Sequence, residues 1–147
     1  QSVKTTSVAA EATGFDGYKR IKGRKRHILT DTLGLLICVI VHSAGVPDRT
    51  GAYLLLHKAQ DRLPKVIFCD KGYLGKLIGH TRKVYGWLLQ IVKKIDGRFN
   101  QPKRWIVERT FAWIVNDRRN SKDYERLTQS AEAIIQLSLI KTMLKQF

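Results

Sequence analysis

The sequence predicts an α/β domain in which an antiparallel hairpin and further parallel strands make a mixed sheet flanked by helices. Three stretches predict it. Leu35 to Val41 is apolar on both faces, as a central strand is, and follows His27 to Asp31 across a turn at Thr32-Leu33-Gly34. Ala52, Leu55, Leu56, Ala59 and Leu63 then recur at helical spacing until Pro64. Lys65-Val66-Ile67-Phe68-Cys69-Asp70-Lys71-Gly72-Tyr73 reads as a short buried strand that hands over to a carboxylate and a turn.

A chain of 147 residues, 44% of them apolar, is long enough for one domain with a real core and too short for two. Its charge is unusual: 27 Lys and Arg against 12 Asp and Glu give +15, which calls for a polyanionic partner, above all nucleic acid. No apolar run is long enough to span a bilayer and no signal peptide opens the chain, so the expected location is the cytoplasm, with no membrane partner. Cys38 and Cys69 sit in apolar, strand-like runs without CxxC spacing and are expected as buried free thiols. His27, His42, His57 and His80 show no ligand-type pairing, and no metal role is expected of them.

Along the chain, Gln1 to Gly14 reads as the tail of a strand and a loop. Lys19 to Arg26 holds six basic residues in eight, and reads as a phosphate-binding strip leading into the first hairpin arm. Asp48, after Gly45-Val46-Pro47, is the expected N-cap of the first helix. Leu74 to Gly86, with Gly75 and Gly79, is expected as a short or broken helix; Leu88 to Val92 is a strand, and Lys93 to Pro102 an exposed loop. Lys103 to Arg119 carries Val107, Phe111, Ile114 and Val115 on one helical face. Ile134, Ile135, Leu137, Leu139, Lys141 and Met143 mark a last helix, expected to pack on the sheet.

Two carboxylates attract attention. Asp70 stands at the carboxyl end of a central strand, where open α/β sheets place their chemistry; its ordinary role would be to cap the following turn. Glu108 lies four residues after Arg104, an arrangement that ordinarily makes a surface ion pair worth ~0.3–0.5 kcal/mol. A strand end and a helix can nonetheless bring carboxylates together around hard divalent cations, and two such cations ~3.5–4 Å apart activate a nucleophile and stabilise a leaving phosphodiester oxygen. By spacing alone this signal is weak.

The ordered blocks of sequence say more. Gln1-Ser2-Val3-Lys4-Thr5, Lys22-Gly23-Arg24-Lys25-Arg26-His27-Ile28, Asp31-Thr32-Leu33-Gly34-Leu35-Leu36, Asp48-Arg49 with Gly51-Ala52, Asp70-Lys71-Gly72-Tyr73, Arg104 to Trp113, Lys122-Asp123-Tyr124-Glu125 and Ser130-Ala131-Glu132-Ala133 follow one another over nearly the whole chain. Together they resemble the catalytic domain of bacterial insertion-sequence transposases of the DDE class, insertion-sequence-five type. The resemblance implies an RNase H-like fold: three antiparallel strands extended by two parallel ones, with helices on both faces and the first strand truncated. It implies an enzyme that cuts double-stranded DNA at the ends of its element with metal-activated water and joins the freed 3′ hydroxyl to target DNA. By position, Asp70 matches the second catalytic aspartate and Glu108 the glutamate, as two of three carboxylates for a two-metal Mg2+ (or Mn2+) site. Arg104 matches the arginine that contacts DNA near the cut. A homodimer or larger synaptic assembly is the expected partner state.

Departures from the family pattern accompany the likeness. The first catalytic aspartate would lie immediately ahead of Gln1, so residues 1–147 are expected to be a single catalytic domain lacking its amino-terminal part and inactive alone. Gln101 stands where a tyrosine is expected and Val115 where a lysine is, with Arg118 or Arg119 as substitutes. Asp16, Asp31 and Asp48 are poor replacements for the missing ligand. The competing reading is a catalytically dead DNA-binding fragment or an inhibitor of transposition; an RNase H-like nuclease of another family ranks last. For DNA contact the expected residues are Lys22, Arg24, Lys25, Arg26, Arg104 and Arg109, then Arg118, Arg119 and Lys122. Trp105 and Trp113 are expected to pack rather than to stack on bases.

Overall fold

The structure, a computed structural model, describes residues 1–62, 64–92 and 102–145. Strands β1 (Ser2–Lys4), β2 (Gly14–Asp16), β3 (Ile21–Thr30) and β4 (Leu36–Ser43) form an antiparallel four-stranded sheet. Helix α1 (Asp48–Lys58) leads to β5 (Val66–Cys69), then α2 (Lys76–Tyr85) and β6 (Leu88–Ile91), which pairs with β5 in parallel. Helices α3 (Pro102–Asn116) and α4 (Thr128–Leu144) complete the α/β architecture. Antiparallel and parallel pairs are both present, as the sequence predicted. Among the described residues they are two separate sheets rather than one, because no strand bridges β3 and β5.

The hairpin of β3 and β4 is the spine. Its turn is locked by Asp31, whose Oδ1 accepts from the N–H groups of Leu33 and Leu35, both at 2.8 Å. Gly34 takes a φ of +83°, a conformation that costs a side-chain-bearing residue energy. Alternation along β4 then sorts its side chains. Val39 and Val41 join Ile114, Ala131, Ile135 and Leu139 on the α3 and α4 side. Cys38 and Ile40 face the other way, onto Leu55 and Ala59 at α1 and its carboxyl end. A third cluster, Ala52, Leu56, Ile67, Leu77, Trp87 and Leu89, ties α1 and α2 to the parallel strands.

Side-chain hydrogen bonds join α3 and α4 to the spine. Thr110 donates to the carbonyl of Gly34 at 2.8 Å, and Glu132 accepts from the N–H of Val41 at 2.9 Å while pairing with Lys58. These contacts fix α3 beside the hairpin turn, which is what places Glu108.

Several boundaries differ from the expectation. The first hairpin arm begins at Ile21, not His27, so most of the basic strip is strand. Pro47 occupies the N-cap of α1 and Asp48 is its first residue, without a capping side-chain bond. Leu74 to Gly86 contains an unbroken ten-residue helix, α2, closed by Gly86 in the left-handed region. Gly14 to Asp16 adds a strand that no pattern announced. The predicted loop from Lys93 and the departure at Gln101 lie outside the described residues. Among the described residues, no helix is long and apolar enough to cross a membrane.

Candidate active site

β5 is four residues long and ends at Cys69, leaving Asp70 at the sheet's edge in an extended conformation. Its Oδ1 accepts from the N–H of Gly72 at 2.9 Å and so caps the short 3-10 turn Lys71–Tyr73. Glu108 stands on α3, its Oε1 2.8 Å from Arg104 Nε, with side chains 59% and 48% exposed respectively. The ordinary roles expected of both carboxylates are therefore realised: a turn cap and a surface ion pair.

What distinguishes them is where they open. Asp70 and Glu108 both line one cavity of about 950 Å³, between β3 on one side and β5 and α3 on the other. Asp31, Asp48 and Arg104 line it too, while its walls are largely apolar, with Leu29, Leu55, Ile67 and Phe111 among them. Among the described residues, the second oxygen of Asp70 and of Glu108 makes no protein hydrogen bond, so each keeps a hard donor uncommitted.

The cavity mouth carries a charged cluster. Lys25 Nζ lies 2.9 Å from Asp48 Oδ1 and 3.0 Å from the Val46 carbonyl, and 3.8 Å from Asp16. Burial pushes the Asp48 carboxyl up, but the hydrogen bond and charge of Lys25 outweigh it and hold the group below its ordinary value. Asp16 is also held low, first by the Ser2 hydroxyl that donates to it. Beside them the rings of His27 and His42 stack at 4.9 Å, and Tyr73 reaches His27 Nδ1 at 3.3 Å. Burial, with nearby positive charge, lowers the His27 pKa to about 3 and lowers that of His42 as well. No ligand-type spacing marks these two histidines, because cross-strand neighbours two residues out of register carry no sequence signature.

The predicted DNA-contact residues divide sharply. Lys22, Arg104, Arg118, Arg119 and Lys122 are exposed. Arg24, Lys25 and Arg26 are buried, contrary to the expectation of an exposed phosphate strip. Arg24 pairs with Asp123 at 3.3 Å and donates to the carbonyls of Glu11, Glu125 and Arg126. Arg26 donates to the carbonyls of Asn120 and Lys122, and burial lowers its pKa. The physical reason is that a strand points successive side chains to opposite faces, and both faces of β3 are covered. Arg109 is half-buried: its guanidinium lies 4.4 Å from the Trp105 ring centroid and 4.8 Å from that of Trp113, and it donates to the Leu33 carbonyl at 2.6 Å. Trp113 packs against the core, whereas Trp105 is 46% exposed. Of the thiols, Cys38 is buried and Cys69 only half-buried, both free.

The family described as Transposase DDE domain matches residues 1–142. The chain belongs to that family. A Burkholderia cepacia protein described as a transposase for insertion sequence element IS402 is 30% identical over 128 residues, a match covering 78% of this chain and 60% of that relative. The chain thus spans about three-fifths of the length of this curated relative. No solved structure matches the chain.

Members of this transposase family generally use divalent metal ions. The oxygen donors of Asp70 and Glu108 suit such ions in kind, but not in number. Among the described residues no group of three His, Cys, Asp or Glu side chains is placed to hold one. The described residues therefore do not complete a metal centre by themselves.

Proposed function

We propose that this chain is the catalytic domain of a DNA transposase with an RNase H-like fold, and that Asp70 and Glu108 are the two carboxylates it contributes to strand cleavage and transfer. The single observation that carries this reading is that Asp70, at the end of β5, and Glu108, on α3, open on the same cavity. Family membership supports transposition in general; the assignment to residues rests on that convergence. In this arrangement the Gly72 N–H anchors Asp70 at the strand end, and Arg104 holds Glu108.

Duplex DNA is the proposed substrate, consistent with the net charge of +15. Lys22, Arg104, Arg118, Arg119 and Lys122 are the phosphate contacts. The buried arginines serve these indirectly: Arg26 binds the carbonyls of Asn120 and Lys122, and so shapes the loop that presents Arg118, Arg119 and Lys122.

A second reading, in which the chain alone binds DNA without cutting it, is favoured by the absence, among the described residues, of three His, Cys, Asp or Glu side chains grouped to hold a metal ion. Incubating the purified chain with supercoiled plasmid and Mg2+ or Mn2+ tests both. The expected result is retention of DNA without nicking. Nicking that Asp70→Asn abolishes would show that the chain is catalytically complete. Failure to bind DNA at low salt would remove the DNA-contact surface.

A further inference from the structure

The basic strip that begins at Lys19 is buried from Arg24 to Arg26, but its outer half is not. Lys19, Arg20 and Lys22 are exposed, and they sit at the tip of the hairpin that β2 makes with β3. Gly17 to Arg20 turn the chain there, between Asp16 and Ile21. Tyr18, in that turn, is 96% exposed, which leaves its ring nothing to pack on. Phe15, which faces Lys22 across the strand pair, is 58% exposed.

The tip is held in shape from beneath. Asp16 is buried, and its Oδ1 accepts from the N–H groups of Tyr18 and Lys19, both at 3.1 Å. Its Oδ2 accepts from the Ser2 hydroxyl and lies 3.8 Å from Lys25 Nζ, which pairs with Asp48 at the cavity mouth. Arg20 takes a φ of +54°, a left-handed conformation that glycine adopts freely and an arginine does not. A strained position that keeps a cation where glycine would sit more easily marks that cation as a candidate contact. Lys19 lines the same cavity as Asp70 and Glu108, so the tip stands on the rim of the candidate active site.

An exposed aromatic ring among cations suits a particular form of DNA. In a paired duplex the base faces are covered by their neighbours, and only edges and phosphates are open to protein. An unpaired base offers its face to an aromatic ring whatever its identity, and cations alongside track the backbone. Strand cleavage makes such a site, because a cut strand ends in a base with one face open.

We propose that the β2–β3 tip is a clamp for unpaired DNA beside the cut: Tyr18 stacks on an open base face, and Lys19, Arg20 and Lys22 hold the flanking phosphates. Phe15, beside Lys22, offers a second ring. The inference deepens the DNA reading and rests on it. It assigns to this tip the distinction between paired and unpaired strands.

The test measures binding of the whole chain, without divalent metal, to two probes by fluorescence anisotropy. One is a blunt duplex; the other is the same duplex ending in a single-stranded overhang whose first unpaired base is 2-aminopurine. The chain is expected to bind the overhang probe roughly tenfold more tightly than the blunt one and to quench the 2-aminopurine. Tyr18→Ala should remove the preference and the quenching while leaving blunt-duplex affinity and the thermal midpoint unchanged. Tyr18→Phe, which keeps a ring, should retain both. Arg20→Gly, which relieves the left-handed strain, should hold or raise the thermal midpoint yet weaken binding to both probes. Equal affinity of the unaltered chain for the two probes overturns the proposal and leaves the DNA reading standing. So does a preference that survives Tyr18→Ala. Binding to neither probe at low salt overturns the DNA reading and this inference together.

Discussion

Arg24 and Asp123, almost a hundred residues apart, meet at 3.3 Å with both side chains wholly buried. The pair joins the middle of β3 to the loop between α3 and α4, and the remaining guanidinium hydrogens reach the carbonyls of Glu11, Glu125 and Arg126. A buried charge that loses its partner keeps its desolvation penalty. Asp123→Ala should therefore cost ~3–5 kcal/mol in urea denaturation. A loss below ~1 kcal/mol would mean that the carbonyls alone satisfy Arg24.

The same burial changes what the basic strip does. Lys22→Ala and the triple substitution of Arg118, Arg119 and Lys122 by Ala should weaken DNA binding for every sequence. Each phosphate-neutralising charge removed should flatten the logarithmic salt slope by ~1. Arg26→Ala should lower the unfolding midpoint first. Salt-titrated fluorescence anisotropy beside thermal melts separates the two; a Lys22→Ala variant with an unchanged slope would remove that residue from the interface.

Gly51 of α1 sits against the His27 and His42 rings. A Cβ there would lie 2.5 Å from His42 Nε2 and 2.6 Å from His27 Nε2. Ala is the better helix former by ~1 kcal/mol, yet here the overlap should win, leaving Gly51→Ala destabilised by ~1–3 kcal/mol. A more stable variant would show that the two rings move aside easily.

Those rings also make the fold acid-sensitive. The folded-state pKa of His27 is lowered from 6.5 to about 3, chiefly by burial, with His42 and Lys25 adding to the fall and Asp48 opposing it. A lowered folded pKa means that the unfolded chain takes up the proton first. The stability contribution is complete above pH ~6.5 and is lost as pH falls toward the folded value, at up to ~1.4 kcal/mol per pH unit. His27→Gln should flatten denaturation midpoints between pH ~6.5 and ~4. An unchanged slope would assign the sensitivity to other groups.

Arg109 is held between two indole rings and the hairpin turn. Arg109→Lys keeps the charge but loses the planar stack and the fork, so it should cost ~1–2 kcal/mol while leaving DNA affinity unchanged. Weakened binding without loss of stability would return Arg109 to the DNA surface.

Local pattern alone carries much of this fold. The apolar run Leu35–Val41, the helical spacing through Ala59, the strand before Asp70 and the charge of +15 each follow from near neighbours in sequence, because period and turn chemistry are local properties. The ordered blocks around Asp70 and Glu108 place the chain among DDE transposases on sequence alone, and the family match bears that out. Three matters needed the tertiary structure. Whether Arg24 and Arg26 meet solvent or carbonyls depends on loops about a hundred residues away in the chain. Whether His27 and His42 touch depends on strand register. Whether Asp70 and Glu108 share a space depends on α3 being pinned to the hairpin turn through Thr110 and Gly34. Each is a contact between segments distant in the chain, and such contacts are set by how whole elements pack, which no window of sequence contains.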